Sequence, residues 1–261
     1  MTTTLGVPRP DQAAYMLNAA AADAGRAYKA QLLALLDVRA GQTALDLGCG
    51  PGTDLAAFAE LVGPDGRVIG VDRDLAMLDA ARRRTAELPV VRILEGDVHQ
   101  LPLEDGSVDR ARIDRVLMHV EDPGTVLAGL HRATRPGALV ALAEPDWDTL
   151  LVDAEDLETS RAFTSFTSSV AVRNATIGRR LPRLAEQAGF TVRSVHANTP
   201  VFREFAQADY VLALGRNMQR AIEAGLVEEQ RGRAWFAALE QGPFLASFTL
   251  FTVICSRGQG S

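Results

Sequence analysis

Cysteine is scarce in this chain of 261 residues: only Cys49, inside a glycine turn, and Cys255, in a late apolar run. Two such residues make no disulfide framework, and neither sits at a metal-ligand spacing, so no metal is expected. Long apolar runs are missing too; none reaches the ~20 residues needed to cross a bilayer, and no membrane partner is expected. The opening MTTTLGVPRPDQ has no signal-peptide pattern, which makes the cytoplasm the expected location. A basic surface is also lacking. Lys+Arg total 27 against Asp+Glu 33, a net charge of −6, and the arginines are scattered. That balance argues against a nucleic-acid partner, whose phosphates require a positive face. Internal repeats and low-complexity tracts are absent as well.

What is present is a patterned α/β chain. It is 47% hydrophobic and 23% charged, enough to bury a core, and its length suits one α/β domain with an appended lid. The run ALDLGCGPGTD at 44–54 is its most informative stretch. Ala44, Leu45 and Leu47 read as a buried parallel strand, followed by a turn poor in side chains and the helical spacing of DLAAFAELV. Such a unit lets a ligand lie against bare backbone N–H groups at a helix N-terminus. It is equally the form of a plain tight turn. Two later acids bear on that choice. Asp72 ends a second strand, where a carboxylate can accept both hydroxyls of a ribose. Asp97 ends a third, where it suits the exocyclic amine of an adenine. Helix capping is the alternative for either acid taken alone.

Strands are expected at 43–47, 67–71, 90–94, 108–113 and 138–144, alternating with helices as in a parallel doubly wound sheet. Residues 1–38 read as an N-terminal helical arm or lid, with two helical stretches over 13–38, and 39–150 as the ligand-binding core. Residues 151–261 would complete the sheet, with strand six at 191–202 and a last strand at 247–257. Helices are expected over 207–223 and about 227–240. A β–α–α–β ending of this kind returns the seventh strand antiparallel between the fifth and sixth. The long segments 151–185 and 205–241 would roof the pocket.

Five pieces together carry a family resemblance: LDLGCGPG at 45–52, VIGVDRDLAML at 68–78, EGDVHQLPLEDGSVDR at 95–110, RVLMHVEDP at 115–123 and RPGALVALAEPDW at 135–147. Over roughly residues 40–150 the chain resembles the class I S-adenosylmethionine-dependent methyltransferases, in the branch similar to ubiquinone and menaquinone biosynthesis methyltransferases (methyltransferase type 11). The resemblance implies a Rossmann-like seven-stranded sheet with helical lid insertions, and S-adenosylmethionine as cofactor. It places Gly48, Gly50 and Gly52 against the amino-acid end, Asp72 on the ribose, and Asp97 and Val98 on the adenine, flanked by Arg73 and Met77. Asp46, Cys49 and Ile113 complete the cofactor-facing set. A nicotinamide enzyme is the weaker reading, because GCGPG lacks the GxGxxG spacing. A protein that binds this cofactor without transferring methyl would carry the same motifs.

Sulfonium is an activated leaving group, so orientation and exclusion of water supply most of the acceleration in methyl transfer. A base is needed only where the acceptor must lose a proton. His119, after the fourth strand, is the candidate base, with backbone hydrogen bonding as its structural alternative. Asp146 and Trp147, after the fifth strand, and Asn174, in the expected roof, are the candidate acceptor-binding residues. Glu144 shares that edge. Arg115 is read either as a salt bridge to a neighbouring acid or as a contact to the methionine carboxylate. Phe163 and Phe166 suit either core or an apolar acceptor pocket. The expected partner is a mostly apolar small molecule, natural-product or quinone-like, methylated on O, N or C. Monomer and homo-oligomer both stay open.

Overall fold

The computed structural model describes Leu5 and residues 23–259. In chain order its elements are α1 (Asp23–Leu36), β1 (Thr43–Leu47), α2 (Leu55–Val62), β2 (Arg67–Asp72), α3 (Leu75–Arg84), β3 (Val91–Glu95), β4 (Val108–Asp114) and α4 (Pro123–Ala133). There follow β5 (Thr134–Val152), α5 (Leu157–Phe166), a π-helical turn (Thr167–Ala171), α6 (Ile177–Gln187), β6 (Phe190–Asn198) and β7 (Val201–Phe202). The chain then runs through α7 (Phe205–Leu212), α8 (Leu214–Glu223), α9 (Glu229–Gln241) and β8 (Ala246–Arg257).

The strand order is β3-β2-β1-β4-β5-β8-β6, with the two-residue β7 added to one end of β8. β1 to β5 pair in parallel, and β8 runs antiparallel between β5 and β6, as expected for the final strand. β1 lies in the middle of the five parallel strands because Ala44, Leu45 and Leu47 are fully buried and can be covered on both faces. Short polar side chains fix the helix starts: Asp74 accepts from the N–H groups of Ala76 and Met77, and Asp122 caps α4 ahead of Pro123. One sheet face is covered by α1, α2 and the C-terminal helices, through Leu32, Phe58, Phe163 and Trp235. The other packs on α4 and α6 through Leu127, Leu130 and Leu181.

Three expectations need correction. β5 does not stop at residue 144; it runs on to Val152, with a register shift between Asp146 and Leu151. Asp146 and Trp147 are therefore strand residues and not loop. The antiparallel β8 keeps supplying hydrogen bonds there after β4 has ended in the row of Ala143, so Pro145 loses no ladder bond on the β4 side. The single helix over 207–223 is two, broken at Ala213 in the left-handed region (φ 55°), where buried Asp209 accepts from Gly215 N at 2.8 Å. The strand over 191–202 is β6 and β7, interrupted at Thr199-Pro200. Most of the first N-terminal helical stretch lies outside the described residues.

Candidate cofactor and acceptor site

The glycine turn is built by backbone hydrogen bonds before any ligand is considered. Gly48 N and Cys49 N both donate to Val71 O, at 2.7 and 3.0 Å, which ties the end of β1 to β2. Asp72 holds the next step: its Oδ2 accepts from Gly50 N at 2.9 Å and its Oδ1 from Asp74 N at 3.0 Å. The cap of α3 is Asp74, not Asp72, which leaves the remaining lone pairs of Asp72 at the strand edge. Glycine is required here by the fold itself. Gly48 has φ 77°, and a Cβ on it would lie 2.3 Å from Val116 Cγ2; at Gly52 (φ 74°) one would meet Ala81 at 3.0 Å. Cys49 is buried, and burial pushes its thiol pKa upward, so it is no nucleophile.

The ends of β2 and β3 are tied together by Gly96 N donating to Asp72 O at 3.0 Å. Asp97 is exposed and turns back on its own loop: Oδ1 accepts from His99 N at 2.9 Å and lies 2.7 Å from His99 Nδ1. Those bonds hold its carboxyl below the usual carboxylate range. Val98 and Arg73 follow these two strand ends, half-buried and exposed, and Met77 is buried in the first turn of α3. Ile113 is different. Its side chain is fully buried in the core on the α4 and α6 face, so only its backbone is left for a ligand.

Beneath the turn lies a buried charge cluster. Arg112 of β4 sits opposite Asp46 of β1 and binds it through two nitrogens, Nε to Oδ1 at 3.0 Å and Nη2 to Oδ2 at 2.7 Å. Asp46 is thereby committed to an ion pair. Arg112 Nη2 also reaches Asp54 Oδ2 at 2.8 Å, and its guanidinium lies 5.4 Å from the Phe58 ring centre. Lys29, the sole lysine of the chain, donates to the same Asp54 oxygen at 2.5 Å. Burial would raise the Asp54 pKa, but Arg112 and Lys29 overcome it and hold the carboxyl far down. Asp114, at the tip of β4, accepts from Tyr28 OH at 3.1 and 3.2 Å and lies 3.9 Å from Lys29 Nζ and 3.7 Å from Arg115 Nε. Consecutive residues of α1 thus clamp that helix over the ends of β1 and β4. Arg115, in the left-handed region (φ 57°), sits beside a neighbouring acid, the first of its two readings.

The loop after β4 is held from two sides. Fully buried Glu144 accepts from Val116 N (2.8 Å) and Leu117 N (2.6 Å) on Oε1 and from Met118 N (3.3 Å) on Oε2. Burial pushes its pKa up to about 8 against those N–H groups, which favour the charged form. Asn174 spans the same loop, its Nδ2 donating to Leu117 O at 2.9 Å and Val120 O at 2.8 Å. Its amide nitrogen is committed to loop structure. This clamped loop presents His119. The residue is exposed, yet the protein around its ring, with Arg115 and Arg73, lowers its pKa below the ordinary 6.5. Its imidazole is neutral at pH 7 and can accept a proton.

Asp146 is fully buried, and both its oxygens bind Arg179 of α6. Trp147 is half-buried, with its ring 4.9 Å from that of Phe248. Phe163 and Phe166 are core residues, Phe163 stacking at 5.2 Å on Trp235. A polar groove of about 400 Å³ lies at the other end of the sheet, lined by Thr43, Arg67 and Arg135, and contains none of these residues.

Sequence reasoning missed Tyr28, Lys29, Asp54, Arg112 and Asp114. The one available signal was charge inside buried strands, Asp46 in TALDL and Arg112 in VDRARID. Only the register shows that they face each other.

An open parallel sheet closed by an antiparallel strand between its fifth and sixth members, with the glycine turn and acids at the strand ends, is the architecture of the class I methyltransferases. The matches to known proteins agree. Residues 39–189 match the methyltransferase domain family, and the chain belongs to that family, as a class I S-adenosylmethionine-dependent methyltransferase. It is 51% identical over 245 residues, 94% of its length and 71% of the relative's, to an uncharacterized 37.1 kDa protein of transposon TN4556 from Streptomyces fradiae. It is 34% identical over 127 residues to a demethylmenaquinone methyltransferase of Staphylococcus aureus, spanning 49% of this chain and 53% of that enzyme. A putative methyltransferase structure from Bacillus halodurans superposes with a TM-score of 0.65 at 17% identity, over 88% of this chain and 98% of that one, which establishes the fold.

Proposed function

We propose that the protein transfers the methyl group of S-adenosylmethionine to an apolar small molecule seated over the C-terminal ends of β4 and β5. The observation that carries this reading is the arrangement at one sheet edge: a glycine-rich turn poor in side chains, Asp72 bonded to its Gly50 N–H, and Asp97 one strand further on. These groups fit the cofactor. Gly48 to Gly52 would face the amino-acid end, where Asp114 offers a carboxylate, and Arg112 Nη1, which makes no hydrogen bond and lies 4.0 Å from Asp114 Oδ2, offers a donor. Asp72 would accept the ribose hydroxyls. Asp97 and Val98 would read the adenine, with Arg73 and Met77 at its faces. Bound there, the cofactor supplies an activated methyl group.

The rest of the work falls to this chain. The loop of His119, fixed by Glu144 and Asn174, orients that neutral imidazole to take a proton from the acceptor. α1, held by Tyr28 and Lys29, keeps water from the methionine end. Trp147 offers a stacking face, while Asp146 and Asn174 act on the acceptor through the elements they hold. The partial match to a demethylmenaquinone methyltransferase supports a ring-shaped, quinone-like acceptor. Incubation with labelled cofactor and a panel of phenols, quinols and amines tests the reading. Label appearing in an acceptor product supports it, whereas tight cofactor binding with no transfer favours a protein that only binds the cofactor.

A further inference from the structure

A buried N–H or O–H without a partner is costly and rare, and it calls for a ligand or a water to meet it. Trp147 Nε1, Thr252 Oγ1 and Asn198 Nδ2 are three such atoms. Thr252 is only 1% exposed. The sheet register puts them along one face. Asp114, Ala143, Thr252 and His196 form one row across β4, β5, β8 and β6, and Leu250, two residues from Thr252, is paired with Asn198. Phe248, Leu250 and Thr252 alternate onto one face of β8. Trp147 joins that face through Phe248, tilted by 30°, and Phe248 lies 6.4 Å from Phe202 at 17°. Thr252 stands two strand spacings, about 10 Å, from Asp114 at the tip of β4. The chain satisfies an indole where it has only packing to do: Trp235 Nε1 donates to Ser160 Oγ at 2.8 Å.

We propose that this face of β5, β8 and β6 binds the methyl acceptor, and that the acceptor is a flat aromatic ring system carrying a hydrogen-bond-accepting oxygen. The inference rests on the methyltransferase reading above. Near-parallel aromatic rings provide the wall for a flat molecule, and the unpartnered donors along that face provide for its oxygen. Apolar surroundings, Phe202, Phe248 and Leu250, exclude a charged acceptor.

The test uses two probes of one shape, 9-fluorenone, which has a ring carbonyl, and fluorene, which lacks it. Each is titrated by calorimetry into the full chain saturated with S-adenosylhomocysteine. Fluorenone should bind about tenfold more tightly, because fluorene leaves the donors unpaired. In a Trp235→Phe background, where Trp147 is the only indole, fluorenone should quench the remaining fluorescence. Trp147→Phe and the isosteric Thr252→Val should each reduce the preference, with S-adenosylhomocysteine affinity unchanged. Equal binding of the two probes, no binding of fluorenone, or a preference intact in both variants would overturn the inference and leave the cofactor reading standing. Failure of the native protein to bind S-adenosylhomocysteine would overturn both.

Discussion

His119 is the residue on which chemistry and structure meet most closely. Its neutral state follows from the crowding around its ring and from Arg115 and Arg73. If it takes the acceptor's proton, His119→Ala should lower turnover by ~10²–10⁴ while acceptor affinity stays near native. In the native enzyme the acid limb of the rate profile should fall below pH 6.5. A variant keeping most of its turnover would show that orientation alone drives the reaction. Glu144 gives a second prediction at this scale. Its folded pKa, about 8, lies above the ordinary 4.5, so its stabilisation is complete below the ordinary value and is lost as pH rises through about 8. Glu144→Gln removes that titration. In urea unfolding between pH 6 and 9, the native protein should lose stability relative to the Gln variant as pH increases. Parallel curves would contradict the assignment.

Pairing between elements decides what could be read beforehand. The first four strands and the turn were legible because a parallel strand carries a continuous apolar run and glycine punctuates its end. The length of β5 was not, since residues 145–152 owe their strand to β8, about a hundred positions away in the chain. The helix break at Ala213 was hidden as well, because it depends on a buried Asp209 that pattern reads as a surface acid. For the same reason Asp46 looked like a cofactor ligand; its partner Arg112 lies sixty-six residues on and becomes visible only through the β1–β4 register. That pair makes a prediction for the elements it joins. Arg112→Met strands Asp46 and Asp54 without their main partner and should cost about 3–5 kcal/mol of unfolding free energy. Restoring neutrality with Asp46→Leu beside it should recover much of the loss. A single variant as stable as the native protein would mean that the cluster does not hold β1, β4 and α2 together.

At the scale of the molecule, sheet order turns separate motifs into one edge. β1, β2 and β3 end side by side, so the glycine turn, Asp72 and Asp97 become neighbours, while β4 and β5 bring His119 and Trp147 to the adjoining stretch. α1 closes over the centre through Tyr28 and Lys29. Asp72 stands where these roles cross, since it shapes the turn and is the proposed acceptor of the ribose hydroxyls. The most direct measurement is a calorimetric titration of S-adenosylhomocysteine into the native protein and into Asp72→Ala, each checked by thermal unfolding without ligand. The native chain should bind, and affinity should be weaker by roughly ten- to a hundredfold in the variant, the loss of a charged hydrogen-bond partner, with the variant still folding cooperatively. Equal affinity in the two proteins would contradict the placement of the cofactor at this edge.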